Sequence, residues 1–149
     1  MLRVSSAFAA LALTLSLLSC STKPDLGTLV MIIESSPTNL DPRIGQDAQS
    51  QRIYNLIFDD LLSRGDHLDV APGLAERWEI PDPQTYIFHL HHGVKFHDGR
   101  PLTSRDVKWT FDSLLTGKIR STKAATYRFV DRIDVPDDFT VIFHMKEPD

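Results

Sequence analysis

The sequence predicts an α/β fold in which a mixed sheet is packed against helices. Residues 28–34 form an almost unbroken apolar run, which is typical of a strand buried on both faces. Farther along, two stretches alternate apolar and polar residues as antiparallel hairpins do, and two others repeat apolar residues at helical spacing. One buried strand, two hairpins and two amphipathic helices together indicate the α/β class.

The first 19 residues have the layout of a secretory signal peptide, because Arg3 precedes an apolar run from Val4 to Leu18. The run is too short for a membrane-spanning helix, which needs roughly 20 apolar residues. It ends in Leu17-Leu18-Ser19-Cys20, which resembles a bacterial lipobox. We therefore expect Cys20 to carry a diacylglycerol, whose two acyl chains anchor a protein stably to a membrane. The alternatives are a soluble exported protein with an incidental cysteine, and a cytosolic protein with a buried N-terminal helix.

Composition narrows the classes of partner. Cys20 is the only cysteine, so no internal disulfide can form. The chain carries 16 basic and 20 acidic residues, a net charge of −4, and the basic residues are scattered among acidic ones. Nucleic-acid binding requires a basic face, so this pattern argues against nucleic acid as a partner. A hydrophobic content of 42% is typical of a folded domain.

Residues 20–27 are expected to form a tether, and the domain is expected to cover residues 28–149. Two prolines bracket a loop over 35–43 after the first strand. Asp47 is a good N-cap for a helix that runs to about Leu61 and presents an apolar stripe to the sheet.

A turn at residues 65–69 and a single helical turn at 74–76 come next. Two hairpins are predicted, with strands at 77–80 and 85–91, and at 132–135 and 140–146. The alternation of the first hairpin recurs in the second, although no internal repeat of residues is apparent.

Residues 93–107 specify a strand, a tight turn and a capped helix without a gap. Asp98-Gly99 suits the turn because glycine tolerates positive φ. Thr103 and Asp106 have the spacing of a capping box. The apolar residues that follow at helical spacing predict a helix that stops at Gly117.

This stretch resembles the signature region of the family 5 extracellular solute-binding proteins, the peptide- and nickel-binding subunits of bacterial ABC importers. Three upstream motifs stand in the family's order and spacing, at residues 36–42, 74–78 and 86–90. The resemblance covers about the whole region from Thr28 onward. It departs from the family pattern at His91 and Ser104, neither of which changes the predicted backbone.

The resemblance implies a two-lobed, type II periplasmic-binding-protein-like fold, of which residues 28–149 would be the incomplete N-terminal portion. We therefore expect the chain to be an N-terminal fragment that binds peptide negligibly by itself. The implied function is that of an exported, membrane-anchored lipoprotein facing the periplasm or the extracellular side. It would capture di- or oligopeptides for the permease and ATPase subunits of an ABC importer. The alternatives are a receptor for nickel, an opine or an oligosaccharide, and an exported peptide-holding adaptor.

Four residues are candidates for binding ligand: Glu34, Ser35, Ser36 and Tyr127. A strand that ends just before Pro37 leaves backbone N–H and C=O groups without ladder partners, and an extended peptide can pair with such groups. The alternative is a surface turn in which the serine hydroxyls bond locally. Tyr127 is a candidate because the resemblance implies an aromatic or hydroxyl group near this position, whereas Phe129 and Val130 beside it are expected in the core.

Histidines gather near the first hairpin and are the only cluster that suggests a metal. His89 and His91 share one face of a strand, but His92 and His97, the latter beside Asp98, do not converge with them, and specific sites usually gather three or four ligands. We favour a solvated strand face over a weak adventitious metal site. The sequence contains no nucleophile elbow, phosphate loop or His-Glu-x-x-His motif, so neither enzyme activity nor a cofactor is expected.

Overall fold

The computed structural model describes residues 27–148, and the chain divides into one unit at 1–32 and another at 33–149. Of the first unit only residues 27–32 are described. The prediction of a buried strand at 28–34 is wrong, because these residues have no strand structure and Leu29 and Ile32 are 88% and 94% exposed. A strand buried on both faces needs neighbouring strands on either side, and neither of the two sheets includes this segment.

Helix α1 spans Ala48–Tyr54, and the prediction that Asp47 caps it is confirmed. The helix ends well before Leu61, since the Asn55 N–H bonds to the carbonyls of Gln51 and Ile53 in a C-cap. Asn favours caps over helix interiors, and the acidic pair at residues 59–60 would lie unfavourably at a helix C-terminus.

A short hairpin that the sequence did not predict follows, with strands β1 at Leu62–Arg64 and β2 at Val70–Pro72. The predicted turn joins them, with Leu68 at a φ of 64°. The predicted helical turn at 74–76 is wrong. The N–H groups of Leu74 and Ala75 instead donate to the carbonyls of residues 60 and 61, at 2.9 Å each, so the chain is extended here.

The main sheet has four antiparallel strands in the order β3-β4-β6-β5. Its strands are β3 (Ala75–Asp82), β4 (Thr85–Leu90), β5 (Val130–Asp137) and β6 (Thr140–Met145). Both predicted hairpins are therefore confirmed, with slightly different ends. Within residues 27–148 every strand pair is antiparallel.

The two hairpins of this sheet are identical at seven of 13 aligned positions. Arg, Pro, Asp, Thr, Ile, Phe and His recur in the same order and spacing in 77–89 and 132–144. Cross-strand partners recur too, since Arg77 lies opposite His89 and Arg132 lies opposite His144. The sequence-based expectation of no internal repeat is therefore wrong, because the pairing register reveals which positions correspond.

Helix α2 spans Ser104–Leu115 and confirms the predicted capping box, in which the Asp106 carboxylate accepts bonds from the Thr103 N–H and hydroxyl at 2.9 Å each. Gly99 and Gly117 have positive φ, as the turn and the helix stop require. The strand predicted before the turn is reduced to one bridge, between Lys95 and Pro101.

Helix α2 covers one face of the sheet and completes the core. Its Ser104 N–H and hydroxyl donate to the carbonyls of Asp138 and Asp137, at 2.8 and 2.5 Å, which fixes the start of the helix to the β5–β6 turn. Eight buried apolar side chains of this helix and the strands form a cluster: Ala75, Phe88, Leu90, Val107, Val130, Ile133, Val141 and Phe143. A helix packed on a sheet confirms the α/β class.

Candidate functional site

The predicted binding segment, Glu34–Ser36, is exposed and belongs to no strand. Its backbone is therefore accessible to an extended ligand, although the strand expected to precede it is missing from residues 28–33. The chain that follows, residues 38–45, is held by hydrogen bonds to other parts of the protein, and we call it the anchored loop.

Ser50 binds the first two residues of the anchored loop. Its side-chain oxygen, 0% exposed, accepts the N–H groups of Thr38 and Asn39 at 3.1 Å each. The Ser50 hydroxyl donates in turn to the Asp47 carboxylate at 2.6 Å, and the Thr38 hydroxyl donates to the same oxygen. These hydrogen bonds, that of Ser50 first, hold the pKa of Asp47 well below its ordinary value.

The middle of the loop is stiffened by Asn39, Asp41 and Arg43. The Asp41 N–H donates to the Asn39 side-chain oxygen at 2.8 Å. Arg43 forms a two-point ion pair with Asp41, with Nε–Oδ1 and Nη2–Oδ2 distances of 2.9 and 2.7 Å. Hydrogen bonding to Arg43 lowers the pKa of Asp41. The guanidinium also donates to Ser113 of α2 at 3.1 Å and lies 5.0 Å from the Trp109 ring centre.

A 3₁₀ helix, Thr122–Tyr127, contacts the same loop from the other side. The Ser121 hydroxyl donates to the Arg43 carbonyl, and the Lys123 ammonium donates to the Pro42 carbonyl at 2.6 Å. Tyr127 ends this helix. The loop is therefore hydrogen-bonded both to helix α1 and its cap, through Ser50 and Asp47, and to the 3₁₀ helix that carries Tyr127.

Tyr127 is half-buried, with its ring edge-on to Phe111 at a centroid distance of 5.2 Å. Its hydroxyl forms no hydrogen bond within residues 27–148. Of its neighbours, Val130 is in the core as expected, but Phe129 is 42% exposed beside Arg128, so that expectation is wrong. Phe129 immediately precedes β5, outside the alternation that buries Val130.

Tyr127 lines a groove of about 800 Å³ between the anchored loop, the residues after α1 and helix α2. Glu34–Ser36 does not line it, so the structure does not bring all four candidates into one site. The aromatic residues of the groove are Tyr54, Phe58, Phe96, Trp109, Phe111 and Tyr127.

The histidines have separate partners. His89 lies 3.0 Å from Glu79, His91 lies 3.6 Å from Glu76, and the His92 ring lies 3.8 Å from that of Phe139. In the part of the chain that the structure describes, no group of three His, Cys, Asp or Glu residues could hold a metal ion.

Sequence reasoning missed Ser50, Arg43 and Lys123 as residues that shape this region. Ser50 carries a local signal, because it lies three residues after the predicted cap Asp47. Ser113, the partner of Arg43 in α2, and Pro42, the partner of Lys123, are 70 and 81 residues away in the chain, and no local pattern indicates these contacts. Cys20 lies outside residues 27–148. No helix within those residues has the length and apolar character that crossing a membrane requires.

Comparison with known proteins defines the class. Residues 69–149, more than half of the chain, match the sequence model of a protein family, the bacterial extracellular solute-binding proteins, family 5 (middle). The chain belongs to this family of solute-binding proteins.

Relatives that match the chain are named as peptide-binding proteins. A Brucella ovis protein named as an ABC transporter peptide-binding protein is 42% identical over 94 residues, 62% of this chain and 17% of that protein. The dipeptide-binding protein of Escherichia coli K12 is 30% identical over 162 residues, 93% of this chain and 30% of that protein.

A solved structure shows the same fold. It is the PBP AgaA of A. tumefaciens R10 in complex with agropinic acid, with 30% identity and a TM-score of 0.71 over 76% of this chain and 23% of that one. The chain therefore spans less than a third of the length of each of these three proteins.

Proposed function

We propose that this protein is the substrate-binding lipoprotein of an ABC importer and that it captures di- or oligopeptides for the permease and ATPase subunits. The names of the relatives support the peptide class. The observation that carries the proposal is the exposed backbone of Glu34–Ser36, which has no hydrogen-bond partner in residues 27–148 and directly precedes the residues that Ser50 binds. Backbone pairing does not depend on side chains, so one such segment can accept peptides of varied sequence.

Capture by closure is the mechanism expected for a cleft between two lobes. A ligand shifts a protein toward the closed state only if it binds that state more tightly. In the closed state a ligand pairs with the backbone of Glu34–Ser36 on one lobe and with backbone groups of the facing lobe at the same time. This double pairing provides the difference in affinity between the closed and the open state. The Tyr127 hydroxyl, without a partner in residues 27–148, is available for a ligand hydrogen bond.

Binding can be tested on the protein encoded by the complete reading frame that contains these residues. Calorimetric titrations would use a dipeptide, a nonapeptide, free amino acids, agropinic acid and a nickel–histidine complex. Saturable binding of either peptide, with no binding of the other solutes, is the expected result. Binding of agropinic acid or nickel–histidine alone would overturn the peptide assignment in favour of a receptor for that solute. Failure of every solute to bind would overturn it as well.

The same proposal places a signal peptide at residues 1–19, a lipid on Cys20 and a tether over 20–27. Labelling of growing bacteria with radioactive palmitate tests the lipid. We expect the native protein to be labelled and recovered with membranes, and the Cys20→Ala variant to be unlabelled. Incorporation that persists in Cys20→Ala would show that the label is attached elsewhere and would reject Cys20 as the anchor.

A further inference from the structure

We propose that Ser50 is a positioning residue for ligand binding, and that it acts through the backbone of the anchored loop on Glu34–Ser36. The inference rests on the proposed function for the identity of the ligand. Ser50 is fully buried, and its single hydroxyl serves three groups: two loop N–H donors and the Asp47 carboxylate. Capping of α1 alone needs only the bond from the Ser50 N–H to Asp47, at 2.9 Å, so the contacts to Thr38 and Asn39 serve the loop.

The chain between Ser50's contacts and the binding segment is short and stiff. Pro37 has a fixed φ of about −65° and restricts Ser36 before it to extended conformations. Thr38, which follows Pro37, is the residue whose N–H is bound by Ser50. Only two peptide units separate Ser36 from this fixed point, so its Cα lies within about 7 Å of it. Fixing Thr38 therefore fixes the backbone that would pair with a ligand.

Gly45 shows how closely the loop approaches Ser50. A Cβ atom added to Gly45 would lie 2.3 Å from the Asn39 carbonyl oxygen and 3.0 Å from the Ser50 Cβ. The first distance is shorter than any tolerated contact to backbone, so any side chain here would push Asn39 away from Ser50. Gly45 thus permits the contact that Ser50 makes, and it provides an independent way to break it.

Loss of the Ser50 hydroxyl should free the segment without changing any group that touches ligand. A ligand must then order the segment as it binds, and this cost weakens binding. We expect Ser50→Ala to raise the Kd for a dipeptide about tenfold. Hydrogen exchange of the Thr38 and Asn39 amides, which donate to the Ser50 oxygen, should become faster.

The experiment uses the protein from the complete reading frame and a matched control. Ser104 is also a fully buried serine with a hydroxyl bonded to backbone, but it lies at the start of α2. Ser104→Ala should lower the melting temperature by a similar amount and leave both the Kd and the exchange of the Thr38 and Asn39 amides unchanged. Gly45→Ala should reproduce the effects of Ser50→Ala.

Two affinity results would overturn the proposal. One is a Kd in Ser50→Ala equal to that of the native protein, and the other is an equal loss of affinity in Ser104→Ala. Hydrogen exchange needs no ligand, so it separates this proposal from the proposed function. If no peptide binds the native protein, the proposed function fails. Unchanged exchange of the Thr38 and Asn39 amides in both Ser50→Ala and Gly45→Ala would reject the positioning role independently.

Discussion

Ile87 of β4 lies directly opposite Ile142 of β6, and the two residues occupy the same position in the two matching hairpins. Two residues away on either side, the same residue types pair with the strands exchanged. Thr85 of β4 lies opposite His144 of β6, and His89 of β4 lies opposite Thr140 of β6. The sheet therefore has a local two-fold axis at the Ile87–Ile142 pair. On the same face as Ile87 and Ile142, each hairpin also carries an equivalent contact, from His89 to Glu79 at 3.0 Å and from His144 to Asp134 at 2.9 Å.

Helix α2 breaks this symmetry, so equivalent residues of the two hairpins contribute differently to the free energy of unfolding. Phe88 and Phe143 are equivalent, nearly equally buried at 9% and 7%, and in edge-on contact at 5.5 Å. Phe143 additionally contacts Phe111 of α2 at 4.9 Å. Truncation of a buried Phe to Ala costs about 3–5 kcal/mol. We predict that Phe143→Ala lowers the free energy of unfolding more than Phe88→Ala does, as measured by urea denaturation. Equal losses would mean that the helix contact contributes little.

The ion pair of Asp41 and Arg43 predicts a pH dependence of stability. The pKa of Asp41 is lowered in the folded state from 3.8, first by its hydrogen bond to Arg43. A lowered folded pKa means that this stabilisation is complete above the unfolded pKa and is lost as the pH falls through the folded pKa. Asp41→Asn should therefore destabilise the protein by about 1.5 kcal/mol at pH 7, and by less at pH 2.5, which is below the unfolded value of 3.8.

Unfolding by urea at both pH values measures this difference. Asp82→Asn provides the control, because Asp82 is an exposed turn residue that bonds only the Gln84 N–H in residues 27–148. A destabilisation by Asp41→Asn that is the same at both pH values would show that the charge of Asp41 is not what stabilises the loop.

The capping box of α2 predicts that the hydroxyl of Thr103 contributes to the stability of the folded protein. Removal of a Ser or Thr N-cap typically costs about 1 kcal/mol. We expect Thr103→Ala to lower the free energy of unfolding by this amount and Thr103→Ser to restore most of it, since serine keeps the oxygen that bonds Asp106. Thermal unfolding followed by circular dichroism compares the three proteins. If Thr103→Ser is as unstable as Thr103→Ala, the methyl group is the part that matters.

At Tyr127 the contribution of the ring to stability and that of the hydroxyl to ligand binding can be measured separately. Tyr127→Phe keeps the edge-on contact to Phe111 and removes a hydroxyl that has no partner in residues 27–148. Stability should be unchanged, and the Kd for a dipeptide should rise about five- to tenfold if the hydroxyl bonds ligand, as expected for a single hydrogen bond. Calorimetry and thermal unfolding measure the two quantities. An unchanged Kd would remove the Tyr127 hydroxyl from the candidate site.

Local chemistry predicted the elements whose signals lie within a few residues. The Asp47 cap, the Thr103–Asp106 capping box, the Gly117 stop and both hairpins are of this kind. Predictions failed at 28–34, at the end of α1 and at 74–76. In these segments the residue composition favours one structure, whereas contacts with residues elsewhere in the chain impose another. An apolar run becomes a buried strand only where neighbouring strands pair with it, and Ala75 is extended because residues 60 and 61 bind the backbone there.

The α/β class, the family resemblance and the candidate ligand residues were predicted from the amino-acid sequence alone. The hydrogen bonds that hold the loop next to these candidates became apparent only in the folded protein. Ser50 binds Thr38 and Asn39, and Lys123 binds Pro42, through contacts between segments that local periodicity does not relate. Hydrogen bonds of this kind depend on where the packed chain places donors and acceptors, which propensities and short motifs do not specify.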